Sequence, residues 1–213
     1  MKATLLMLLL IPAMGFAIEE RSLGVSPDKN FELLLRAETP EDYGLVSIKN
    51  ISTSETIDTM TGQGYSYFRT DDVEAVWKED STAFAVSVRG TKTTRSTDVY
   101  IRDGERWRKL VLPPYIPNIL GRQGVISTGR NVYEDFGGFE GSRRFNIICH
   151  VEPDWQQKEL ADKVTDWKPS DQTEWKVALE YHLSTSPNCR ILSIEPWTEP
   201  NSEQTGAVRP LSR

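Results

Sequence analysis

The chain predicts an all-β fold. Apolar residues recur at every second position in most of its periodic segments, as on a strand buried along one face. Those segments are rich in β-branched and aromatic residues, which suit a pleated surface. Asp, Gly, Pro and Asn turn signals separate them. Helical spacing is confined to residues 156–164, with Asp154 as a cap. The expected architecture is an antiparallel meander in open sheets or a sandwich.

From the N-terminus, Lys2 precedes the leucine-rich run 3–11, and Gly15-Phe16-Ala17 closes it with small residues three and one before Ile18. A positive start, a short apolar core and a small-x-small site read as a secretory signal peptide over residues 1–17. The run is about half the ~20 apolar residues that cross a bilayer, so no membrane span is expected. The predicted localisation is exported, periplasmic or extracellular.

Ser26-Pro27-Asp28 marks a turn, and Phe31, Leu33, Leu35 and Ala37 then alternate with Glu32, Leu34, Arg36 and Glu38. Strands are expected at 45–48 and 55–60, then at 83–88 and 99–101. Asp103-Gly104 stands between that last strand and 107–112, which is a hairpin signal. Residues 113–134, with Pro113-Pro114, Pro117 and Gly121-Arg122-Gln123-Gly124, read as an exposed loop. Strand 145–151 follows, then a charged insertion at 152–174 carrying Trp155 and Trp167. Trp175, Val177, Leu179, Tyr181 and Leu183 give the clearest alternation, and strand 190–194 comes last. The polar residues 198–213 read as a disordered tail.

The order repeats. Ser26-Pro27-Asp28-Lys29-Asn30 leads into three strands, as does Trp77-Lys78-Glu79-Asp80-Ser81, and Phe139-Glu140-Gly141-Ser142 opens a looser third copy. At these residues the chain resembles β-propeller blades, in which a Trp/Ser-x-Asp-type turn leads into an inner strand. The resemblance implies a single domain, residues 18–197, of three propeller-like units at about 25–60, 73–112 and 136–195. Three units are fewer than a ring usually closes with. An open sheet, a sandwich or an oligomer-completed propeller all fit.

The hydrophobic fraction of 38% and the aromatic fraction of 9% are those of a folded domain, and the net charge of −6 disfavours nucleic acid as a partner. Two cysteines, Cys149 and Cys189, are expected to form a disulfide outside the cytoplasm, the alternative being two buried thiols.

No catalytic constellation stands out. The two histidines, His150 and His182, fall on the polar faces of their strands, and no serine lies in a Gly-x-Ser-x-Gly elbow. Cys149 and His150 are neighbours on a strand and so face opposite ways. No close Cys-x-x-Cys or His-x-x-x-His pair supports a metal, and no cofactor is expected. The acids Asp71, Glu134, Asp135 and Asp154 could serve a hydrolase only if paired across a cleft. Trp77, Trp107 and Trp175 read as core, and Asn50-Ile51-Ser52 matches a glycosylation triplet.

The strongest local anomaly is residues 89–109, where seven basic residues meet three acids in an acidic protein. Arg89, Lys92 and Arg95 lie in its flexible, threonine-rich part and form a candidate binding site for an anionic glycan or acidic protein surface. The alternative is a solvated hairpin edge. Together these features predict an exported, non-catalytic binding protein. An exported carboxylate-dependent hydrolase and a structural assembly component are its rivals.

Overall fold

The computed structural model describes residues 19–37, 45–60, 73–91, 94–123, 128–153, 173–183 and 188–198. It is an all-β structure with one short helix among the described residues. The signal peptide expected at 1–17, the helix expected at 156–164, Trp155, Trp167, Lys92 and residues 199–213 of the expected tail lie outside them.

Among the described residues, twelve strands form three antiparallel meanders of four. The first comprises β1 (Glu19–Val25), β2 (Phe31–Ala37), β3 (Leu45–Asn50) and β4 (Thr56–Met60), which make one open sheet in chain order. The second comprises β5 (Val73–Trp77), β6 (Ala83–Thr91), β7 (Thr94–Asp103) and β8 (Arg106–Lys109), again paired in order. After helix α1 (Ile116–Gln123), the third comprises β9 (Thr128–Glu140), β10 (Arg144–Pro153), β11 (Glu174–His182) and β12 (Asn188–Pro196). The second and third meanders merge into one eight-stranded sheet through a short parallel contact between β7 and β9.

The middle meander is buried on both faces. Phe84, Val86, Tyr100 and Trp107 share one core with Phe31, Leu33, Leu35, Val46 and Ile48 of the first meander. Ala83, Ala85, Val99 and Ile101 turn the other way, into a core with Phe145, Ile147, Val177, Leu179 and Tyr181 of the third. This explains why β6 reads as a nearly continuous apolar run, whereas β11 alternates cleanly between buried and part-exposed positions. Trp107 and Trp175 are core residues as expected, and Trp77 packs on Phe84 and Trp107 at ring separations of 4.9 and 5.6 Å.

Equivalent tight turns open the first two meanders. Ser26 N–H donates to Phe31 O and Lys78 N–H to Ala83 O, and the chain turns through positive φ at Lys29 (60°) and Ser81 (59°). In each turn an aspartate, Asp28 or Asp80, accepts the backbone N–H two residues on. The third meander turns at Gly141 with φ of 61°. The two turns are joined directly, since Asp28 N–H donates to Ser81 Oγ.

Two expectations need correction. Residues 113–134 are not an exposed loop: α1 and the start of β9 lie there, and Tyr115, Ile119 and Leu120 are buried. Pro117 falls in the first turn of α1, where a missing N–H costs nothing, so it starts the helix instead of breaking it. Ile116, Ile119 and Leu120 then share one face at helical spacing.

The Cys149–Cys189 bridge does not form; both cysteines are free. Cys149 pairs through the ladder with Trp175 and Cys189 with Tyr181, six residues further along β11. At about 3.4 Å per residue the thiols are held roughly 20 Å apart along the sheet, whereas a disulfide needs Cα atoms within about 7 Å.

Candidate functional site

The chemistry-bearing side chains gather where β7 meets β9. Among the described residues two register pairs join these strands, Thr94 with Val132 and Arg95 with Tyr133. Side chains continue the seam beyond them. Ser87 and Thr97, both buried, share a hydroxyl contact of 2.8 Å, and Thr97 Oγ1 donates onward to Glu134 O at 2.7 Å. A polar line thus runs from β6 through β7 to β9.

Glu134 is the centre of this seam. The ladder places it opposite Cys149, so its side chain points inward with that of Phe136, an acid at a position where the strand pattern calls for an apolar residue. The Tyr115 hydroxyl, from the segment entering α1, donates to Glu134 Oε1 at 2.8 Å, and the Thr97 N–H also serves this carboxylate. Burial raises the Glu134 carboxyl above its usual range, and nearby Asp98 adds to the effect. The two donors oppose it without cancelling it. The same burial raises the Tyr115 phenol and the Cys149 thiol, and the Glu134 charge acts in the same direction on both. Cys149 is therefore an inert, protonated thiol at neutral pH.

On the opposite face of β9, Asp135 pairs with Arg95, whose Nε lies 2.9 Å from Asp135 Oδ1 and whose Nη2 donates to Glu74 Oε2 at 2.7 Å. Glu134 and Asp135 are consecutive on a strand and point to opposite faces. They do not pair across a cleft. Asp71 and Asp154, the other acids singled out by sequence, lie outside the described residues.

Two of the three basic candidates are neighbours. Arg89 is exposed and stands opposite Arg95 in the β6–β7 ladder, Lys92 lies outside the described residues, and Arg95 is held between two carboxylates. Further along the segment, Arg108 pairs with Asp103 at 2.9 Å, Lys109 with Asp98 at 2.6 Å, and Arg102 lies 4.7 Å above the Phe31 ring. The positive excess read from sequence is partly matched by acids from neighbouring strands.

His150 and His182 face outward as expected. His150 rests against the Tyr133 ring with its Nδ1 4.0 Å from Glu174, and His182 lies 3.8 Å from Glu180. Among the described residues, no group of three or more His, Cys, Asp and Glu side chains is placed to hold a metal ion. Also among the described residues, no helix is long and apolar enough to cross a membrane.

Sequence reasoning missed Tyr115 and the role of Glu134. The available signal was the stretch Val132-Tyr133-Glu134-Asp135-Phe136, which alternates as a strand only if an acid is allowed inside. No protein-family model and no curated protein matches this chain. The assignment of a function therefore rests on the seam, the basic hairpin and the stacked meanders.

Proposed function

We propose that the protein is an exported, non-catalytic interaction module of three propeller-like blades. Its partner is an anionic glycan or acidic protein surface, met at the β6–β7 hairpin. The observation that carries this reading is an exposed arginine in the outer part of the β6–β7 hairpin. Among the described residues, the β5–β6 pairs run to Val73–Val88, and β6 and β7 continue together through Arg89–Arg95 and Thr91–Thr94. Arg89 is exposed there. Arg95, opposite Arg89 in the ladder, is held by Glu74 and Asp135, while Arg89 and Lys92 meet the ligand.

The test uses a sulfated polysaccharide and a matched neutral one as probes, with the mature protein and an Arg89→Ala, Lys92→Ala double variant. Binding of the sulfated probe should fall steeply as salt rises from about 0.05 to about 0.5 M, where the Debye length shrinks severalfold. The double variant should bind neither probe. Equal, salt-insensitive profiles for the two proteins would overturn the reading. The product recovered from its host should begin at or near Ile18 if it is exported by the N-terminal segment.

The open sheets favour a second reading as a structural or assembly component, in which another copy completes the propeller. Among the described residues β4 and β12 each end a sheet, and the start of β12 is also bridged to Val111. A concentration-independent monomer in light scattering would rule out self-completion and leave the binding reading intact.

A further inference from the structure

We propose that Glu134 is a proton-operated latch on the seam between the second and third meanders, closed when the carboxyl holds its proton and locally opened when it does not. This goes beyond the ligand reading and does not depend on which partner the hairpin meets.

The geometry makes this seam the place where one proton matters. Among the described residues, two ladder pairs join β7 and β9, and both lie on one side of Glu134. Side chains add to them: Arg95 reaches Asp135 on one face of β9, and on the inner face Thr97 Oγ1 donates to the Glu134 carbonyl and Tyr115 to its carboxyl. A short parallel contact with a half-buried acid on its inner face is a natural unit of local opening.

The groups facing Glu134 set the direction. From β7 comes Asp98, which is paired with Lys109 of β8 at 2.6 Å and still repels a second negative charge. From the segment before α1 comes Tyr115, and from β10 the Cys149 thiol, both kept neutral by burial. Arg95, the nearest cation on β7, is directed to Asp135 and Glu74 on the other face of β9. His150 also lies on that other face, against Tyr133. An ionised Glu134 is thus a half-buried anion whose solvation comes from one phenol and one amide, with a like charge nearby.

The sign follows from linkage. Burial holds the Glu134 carboxyl above its unfolded-state value. Its contribution to seam stability is therefore fully present below the unfolded value and is lost as pH rises through the folded one. Acid closes the seam and neutral pH loosens it, opposite to the behaviour of a carboxylate held in a salt bridge.

The test is amide hydrogen exchange on the mature protein from about pH 4.5 to about pH 7.5, read as protection factors so that the intrinsic pH dependence of exchange cancels. Protection at residues 94–97 and 132–135 should fall by about tenfold across the range, while protection at Ile147 and Leu179 stays constant. Glu134→Gln keeps the shape of the side chain and should remove the pH dependence. His150→Gln should keep it. Tyr115→Phe removes a donor to the anion and should move the midpoint to higher pH, which provides a second check if Glu134→Gln folds poorly. Seam protection that is flat with pH in the unaltered protein, or a pH dependence that follows His150 instead of Glu134, would overturn the latch.

Discussion

The backbone N–H of Asp28 donates to Ser81 Oγ at 2.9 Å across 53 residues of sequence. Both residues sit in the opening turn of their meander, Asp28 one position before the positive-φ residue Lys29 and Ser81 at the positive-φ position itself. The contact therefore ties the first meander to the second at equivalent turns. Within the third meander, the Tyr181 hydroxyl donates to Ser142 O at 2.8 Å, beside the Gly141 turn.

Ser81→Ala is expected to destabilise the protein by about 1–2 kcal/mol, since the Asp28 N–H loses its acceptor in a part-buried turn. Ser81→Gly loses the same hydrogen bond but relieves a φ of 59°, which favours glycine by roughly 1 kcal/mol. Urea unfolding should rank the unaltered protein first, the glycine variant second and the alanine variant last. An alanine variant as stable as the parent would mean that the turns are held without this contact.

Asp80 gives a pH dependence of the opposite sign to that of Glu134. Although desolvation pulls its carboxyl upward, hydrogen bonds from Lys78 and Thr82 and the Lys78 charge hold it below its usual value. Its stabilising contribution is present above the unfolded-state value and is lost as pH falls through the lower folded value. Thermal midpoints measured from about pH 5 down to about pH 2 should therefore fall less steeply for Asp80→Asn than for the parent. Parallel curves for the two proteins would refute the assignment.

Free thiols make a direct chemical prediction. Non-reducing peptide mapping should find no Cys149–Cys189 linkage, and reductant should leave the melting temperature unchanged. Burial holds the Cys189 thiol up at about 12, and Cys149 is less exposed still. Native protein should react slowly with a thiol reagent, Cys189 ahead of Cys149, and denatured protein should react at once at both. Recovery of a linked peptide would show that the third meander rearranges on oxidation.

Phe84 is fully buried at the centre of the first core, with ring separations of 4.9 Å to Trp77, 5.0 Å to Trp107 and 5.1 Å to Tyr100. Phe84→Ala should cost about 3–5 kcal/mol, because the surrounding rings cannot all collapse into the space. It should also change tryptophan emission through Trp77 and Trp107. A loss below about 1 kcal/mol would mean that the first and second meanders are not packed on this ring.

The local pattern of the chain determined the all-β class, the strands at Phe31, Ala83, Phe145 and Trp175, the Asp103-Gly104 hairpin and the inward faces of β10 and β11. These depend on period-two burial and turn chemistry, which a short window of sequence contains. Strands β1, β5 and the first half of β9 were not legible. They carry charged or glycine-rich stretches, and their place in the fold comes from the strand beside them. The helix at 116–123 was hidden because its prolines read as breakers, whereas two precede it and Pro117 occupies its first turn. Cys149 and Cys189 look like natural partners in a list of residues, but the register of β10, β11 and β12 separates them along the sheet. Arg95 likewise read as free charge until β5 and β9 brought Glu74 and Asp135 to it. Tertiary structure decided each of these cases for the same reason: partners distant in sequence set the burial and the charge balance, and no local spacing records them.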